Sequence, residues 1–156
     1  MKRIVPAIAL LLTLAWLLAG QAPSGYKYWS AAELKAFDHS LAPKIDAHKV
    51  AAERLVDFGN HYTMIAHREG SGEAEYHERE SDVFFVTSGS GTLVVGGTMH
   101  DGKTTTPGEM RAPSIDGGMK QKLSVGDIVH IPPKSPHQML LDPGTKTTYF
   151  VVKVKE

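Results

Sequence analysis

Glu75-Tyr76-His77, the run Asp82-Val83-Phe84-Phe85-Val86, and Gly126-Asp127-Ile128-Val129-His130-Ile131-Pro132-Pro133-Lys134-Ser135-Pro136-His137 decide how this chain reads. Glu75 and His77 stand two apart, so on a strand both side chains leave from one face. Asp82 opens an apolar β-rich run, and His137 leads out of a Pro-rich bend into Met139 and Leu141. Imidazoles and carboxylates carried on separate strands into one apolar interior are what a metal site in a β-barrel needs. Either block alone would pass for surface polarity. The pair of blocks, each with its own turn chemistry, points to a barrel with a metal inside it.

Working outward, turn signals recur every few residues. Ala51 to Phe58 and His61 to Arg68 read as a hairpin around Gly59-Asn60. Further strand-like runs span Glu73 to His77, Asp82 to Thr87, Gly91 to Val95, Met119 to Leu123, Asp127 to Ile131, Pro136 to Leu141 and Thr147 to Lys153. Ser88-Gly89-Ser90-Gly91 reads as the turn between two of them. Residues 96–118, rich in Gly, read as a long exposed loop. About nine short strands at this spacing predict an all-β antiparallel sandwich or barrel.

Upstream, Ser30-Ala31-Ala32-Glu33 is a capping box, and Leu34, Phe37 and Leu41 share a helical face. A short helix from about Ala31 to Ser40 follows, and Pro43 ends it. Before it, Met1-Lys2-Arg3 and the apolar run Ile4 to Leu18 have the layout of a secretory signal peptide, with cleavage expected between Gly20 and Gly25. An uncleaved anchor is the alternative, since the run approaches the shortest bilayer span. The expected division is therefore a signal peptide over 1–22, an N-terminal arm with a short helix over 23–49, and the barrel over 50–156. The expected location is the periplasm or outside a bacterial cell, with no stable membrane contact once the signal is removed.

Charge and composition narrow the function. Basic and acidic residues balance at 17 each, and without Lys2 and Arg3 the balance turns slightly acidic. No basic stripe exists, so nucleic acid is excluded as an expected partner. Cysteine is absent, which removes thiol nucleophiles and sulfur-rich zinc sites. An exported domain without disulfides is held by its core, by a metal, or by oligomerisation, a homodimer in the simplest case. No nucleophile elbow and no phosphate-cradling loop before a helix is present.

Taken together, Glu75-x-His77-x4-Asp82-x3-Val86-x2-Gly89 and Gly126-Asp127-x4-Pro132-x4-His137 resemble the two motifs of the cupin superfamily. The resemblance spans residues 70 to 141 and implies a double-stranded β-helix, a jelly-roll barrel. Glu75 stands where that family has its first His, Asp82 where it has a Glu, and Lys134 where it has a Gly. The ligand set that the resemblance implies is Glu75, His77, Asp82 and His137, around a divalent metal ion. Two imidazoles and two carboxylates favour Fe or Mn, and Zn also accepts them. Asp82 is one methylene short of the family Glu, which leaves room for a water.

Duller readings exist for each residue. Glu75 and Asp82 can pair with Arg68 or Arg79, and His67 can line the cavity mouth. Glu78-Arg79-Glu80 reads as an exposed turn. The resemblance implies a metal-dependent enzyme, of oxygenase or isomerase class, acting on a small polar organic molecule. The alternative is a non-catalytic cupin that binds a small molecule in the same pocket.

Overall fold

The computed structural model describes residues 21–156, and the signal region expected over 1–22 lies almost wholly outside them. The capping box at Ser30 starts α1 (Ala31–Leu41), with the Ser30 side chain accepting from the Glu33 amide and Glu33 reaching back. A 3-10 turn, Ala42–Lys44, carries Pro43 and closes the helix. Among the described residues no helix is long and apolar enough to cross a membrane.

The strands are β1 (Val50–Asp57), β2 (His61–Arg68), β3 (Ala74–His77), β4 (Glu80–Val95), β5 (Thr98–His100), β6 (Lys103–Thr106), β7 (Glu109–Ala112), β8 (Ser114–Asp116), β9 (Met119–Ser124), β10 (Ile128–Ile131), β11 (His137–Leu140) and β12 (Thr147–Lys155). All pairings are antiparallel, and β4 joins the two halves of the barrel. Its first half pairs with β12 and β10, its second with β11 and β9. The path runs β1-β2-β12-β4-β11-β3-β7-β6, which is an all-β jelly roll.

Two expectations are corrected here. Ser88–Gly91 is not a turn: β4 runs unbroken through it, because β12 and β9 supply hydrogen-bonding partners on either side. Gly89 takes a positive φ of 70° there, and the β12 register shifts between Thr148 and Tyr149. This is a bulge that bends one strand from one sheet into the other. Residues 96–118 are not a loop either. They fold into β5 to β8, and β7 packs directly beside β3. Gly108 marks the corner of the β6–β7 hairpin, while Gly96, Gly97, Gly117 and Gly118 bend the chain between the β4–β9 and β5–β8 pairings.

Gly89 has a second constraint, since an added Cβ would lie 1.9 Å from the Lys146 carbonyl oxygen. Gly89→Ala is therefore expected to cost about 1–3 kcal/mol through backbone strain at the bulge. Urea unfolding checks this, and an unchanged midpoint would rule out the bulge as a fixed requirement.

Alternation along the strands sorts the side chains. Ala66, Phe84, Val86, Met139, Tyr149 and Val151 face inward and form the main core. On the outer face, Ile65 and Phe150 meet Leu41, Phe37 and Ala51, so the helix covers one sheet from outside. His67 belongs to this outer layer. It is 1% exposed, lies 2.8 Å from Thr148 Oγ1 and 3.1 Å from Asp38 of α1, and does not line the barrel mouth.

Candidate metal centre

Period-2 alternation fixes which polar residues enter the barrel. Arg68 of β2, Glu75 and His77 of β3, Asp82 of β4, Glu109 and Arg111 of β7, His137 of β11, and Tyr149 and Lys153 of β12 converge at one end of the core. Register makes the neighbours: Glu75 lies opposite both Arg111 and His137, His77 opposite Glu109, and Lys153 opposite Asp82. His137 is aimed inward by Pro132-Pro133 and by Lys134, which adopts φ 60° at the family's Gly position. The Lys134 amide donates to the His77 carbonyl at 2.8 Å, tying the two motifs together.

Both imidazoles are oriented from behind. His77 Nδ1–H donates to Glu109 Oε2 at 2.6 Å, and Glu109 is itself held by Arg111 at 3.3 Å. His137 Nδ1–H donates to the Ser135 carbonyl at 3.0 Å. Tying off Nδ1 leaves each Nε2 inside the barrel and facing Asp82 Oδ2, with its lone pair free for a ligand role, as a metal-ligating histidine needs. The Nε2 atom of His137 is buried and has no hydrogen-bond partner. Glu75, His77 and His137 each bring one ligand atom within 4.8 Å of the others. This donor set fits a divalent ion.

The carboxylates tell a second story. Glu75 receives Arg68 Nη2 at 3.1 Å and lies 3.4 Å from Arg111 Nη2. Asp82 Oδ2 receives the Lys153 ammonium at 2.9 Å. Its Oδ1 lies 2.7 Å from the same nitrogen, an ion-pair contact without hydrogen-bond geometry. Lys153 Nζ also donates to His77 Nε2 at 2.6 Å. Asp82 Oδ2 sits 3.5 Å from His77 Nε2 and 3.3 Å from His137 Nε2.

Electrostatics follow from this crowding. Burial pushes the Asp82 carboxyl up, but hydrogen bonds from His137 and His77 in their Nε2-protonated forms, together with the Lys153 charge, outweigh it and hold it far below the usual aspartate range. Glu75 behaves alike: burial raises it, and Arg111, His137, Arg68 and Lys153 bring it below its ordinary value. For His77, burial opposes protonation, yet Asp82 and Glu75 leave its pKa raised. The 2.6 Å contact with Lys153 still requires an unprotonated Nε2, so the geometry described is that of neutral His77.

Of the four expected ligands, the structure brings Glu75, His77 and His137 into one cluster, with Asp82 beside them and engaged by Lys153. The pairing of Glu75 with Arg68 is the duller alternative realised alongside the cluster; Arg79 pairs with neither carboxylate among the ion pairs of the described residues. Glu109, Arg111, Tyr149 and Lys153 escaped the sequence reading, which named Arg68 only as a pairing partner for the carboxylates. The signal for Lys153 and Tyr149 was present in Tyr149-x-Val151-x-Lys153, whose odd positions share the inner face. Arg68 fits because Gly72 has no side chain, as a Cβ there would lie 2.1 Å from Arg68 Nη1. Its Nε donates to Tyr149 Oη at 2.7 Å. The cavity in front of the cluster holds about 300 Å³ and is lined by Arg68, Glu75, Phe84, Arg111, Tyr149 and Lys153, among others.

No family model matches the sequence, and no curated protein matches it either. Solved structures do resemble it. A cupin-2 domain protein from Rhodospirillum rubrum aligns at 15% identity and a TM-score of 0.51 over 70% of this chain. The nucleoside dehydratase Pac13 from Streptomyces, of which a variant was solved with uridine, aligns at 12% identity and 0.51, over 70% of this chain and 72% of its own. The plu4264 protein of Photorhabdus luminescens gives 12% and 0.50, over 70% of this chain and 78% of its own. The chain spans 63% and 62% of the length of the cupin-2 barrel proteins from Rhodopseudomonas palustris and Rhodospirillum rubrum. Likeness at this identity carries the fold and leaves the chemistry open. With two motifs, a β4-bridged jelly roll and these neighbours, the chain is a cupin-fold barrel.

Proposed function

We propose that this protein binds a divalent metal ion through Glu75, His77 and His137 and acts on a small polar organic molecule admitted to the cavity. The observation that carries the reading is the buried Nε2 of His137, which has no hydrogen-bond partner and belongs to a cluster in which His77 and Glu75 each bring a ligand atom within 4.8 Å. A buried lone pair without a donor is costly, and a metal ion is the partner its surroundings fit. When bound, the ion would polarise an oxygen of the small molecule as a Lewis acid and, if it is Fe, support redox chemistry. Arg111 and Lys153 at the cavity wall suit a hydroxyl, carbonyl or carboxylate, while Phe84 and Val151 exclude water from part of it. Asp82 joins the metal only after giving up Lys153.

Pac13 is named a dehydratase and was solved with uridine, so a barrel of this fold does accept a small polar molecule. That activity does not transfer with the fold. An enzyme of oxygenase or isomerase class is our reading. A specific observation favours the binding alternative: Glu75, Asp82 and Glu109 are all ion-paired, so none of these three carboxylates is free to act as general base. Export, proposed from the run Ile4 to Leu18, would place either activity in the periplasm or outside the cell.

Metal analysis of the purified protein, with Fe, Mn and Zn offered separately, is expected to give one ion per chain. No binding of any of the three would overturn the reading. Oxygen uptake and product formation over a panel of diols, keto acids and sugars then separate enzyme from binder.

A further inference from the structure

The strand β12 carries an ammonium into the place where the metal should sit. Lys153 is 7% exposed and faces Asp82 directly across the β12–β4 ladder. Its Nζ donates at 2.6 Å to His77 Nε2, the same lone pair that a metal ion would take. One lone pair cannot serve both. We propose that Lys153 is a built-in occupant of the metal position, so that a divalent ion enters only by displacing its ammonium from His77. This rests on the metal reading above and goes beyond it: metal affinity becomes an exchange between two cations.

Charge bookkeeping supports exchange over coexistence. Arg68, Arg111 and Lys153 stand against Glu75, Asp82 and Glu109, so these buried and half-buried groups are neutral as a set when both imidazoles are neutral. Adding a divalent ion while Lys153 stays would leave two uncompensated positive charges in a low-dielectric interior, which is strongly unfavourable. The ammonium also has somewhere to go. A second opening beside the cluster is lined by Tyr62, Glu80, Glu109 and His77, together with Lys153 itself. The flexible four-carbon stem of a lysine can swing its head toward Glu80 and Glu109 there. His137 Nε2 completes the argument. The ammonium serves His77 Nε2 and Asp82 Oδ2 but leaves this atom without a partner, whereas an ion would satisfy it as well. The resident cation is thus an imperfect occupant, suited to being replaced.

The test is calorimetric titration of apo protein with Zn(II) and with Mn(II), comparing wild type with Lys153→Met. Lys153→Met is expected to bind at least tenfold more tightly. To separate the loss of the competitor from the release of Asp82 as an extra ligand, Lys153→Met/Asp82→Asn is compared with Asp82→Asn alone, and the double variant is again expected to be tighter. Should these variants fold poorly, nitrogen-15 spectroscopy of the lysine ammonium groups in wild type gives an independent reading. One equivalent of Zn(II) is expected to move or broaden the Lys153 signal. Metal binding that leaves both the Lys153→Met affinity and this signal unchanged overturns the exchange and leaves the metal reading standing. Absence of binding in wild type and in Lys153→Met overturns both.

Discussion

Replacing His77 and His137 together by alanine is expected to lower divalent-metal affinity by well over about 100-fold, beyond what loss of an outer hydrogen-bond partner causes. These two residues supply the only inward-facing nitrogen lone pairs of the cluster, each fixed by a donated Nδ1–H. Glu75 cannot hold an ion by itself, because Arg68 and Arg111 already compensate its charge. A graded control tests the orientation argument. Glu109→Gln keeps the size of the group but weakens its hold on His77, and should cost about 10–100-fold in affinity. Metal analysis after gel filtration reads both variants. Stoichiometric metal in the double-alanine protein would remove this cluster from consideration.

The second large effect is on stability. Asp82 is 2% exposed and is the carboxylate partner of Lys153. Asp82→Asn removes the negative charge and strands an ammonium in the barrel, which should cost about 3–5 kcal/mol in the metal-free protein. Urea unfolding would show it as a lowered midpoint at unchanged slope. Lys153→Met/Asp82→Asn should recover much of the loss, since the two sites share one interaction. A loss below about 1 kcal/mol in Asp82→Asn would mean that the pair is a solvated contact of surface strength. The pH dependence has a defined sign. The folded-state pKa of Asp82 is depressed below its ordinary value of 3.8. The stabilisation is therefore complete above that value, and it is lost progressively as pH falls below it toward the depressed folded-state pKa. In Asp82→Asn this part of the acid dependence should vanish.

Much of the architecture was legible because it depends on local pattern. The capping box at Ser30 marks the helix start, and Leu34, Phe37 and Leu41 mark its inner face. Alternation in Tyr149-x-Val151 and the Gly126-Asp127 and Pro132-Pro133 turns mark strands and their ends. The two motifs supplied the cupin fold on residues 70 to 141. The errors were also local in origin. Gly-rich stretches such as Ser88–Gly91 and residues 96–118 read as turns and loops, since Gly lowers strand propensity whatever surrounds it. The structure makes the first a bulged continuation of β4 and the second the β5–β8 pair enclosing the β6–β7 hairpin. Tertiary pairing overrode propensity in both.

What the sequence determined by itself was which side chains can reach the interior: period-2 alternation sends Glu75 and His77 to one face and sends Lys153 to the same face as Tyr149 and Val151. What only the tertiary structure decided was who meets whom there. Lys153 reaches Asp82 because β12 pairs with β4 in one register, and Glu109 reaches His77 because β7 pairs with β3 in another. A slip of one residue in either ladder would turn these groups to the opposite face. Such registers join segments far apart in the chain and are set by the packing of the whole barrel. That is why the imidazoles could be nominated from their motifs, while the lysine in their midst emerged only from the fold.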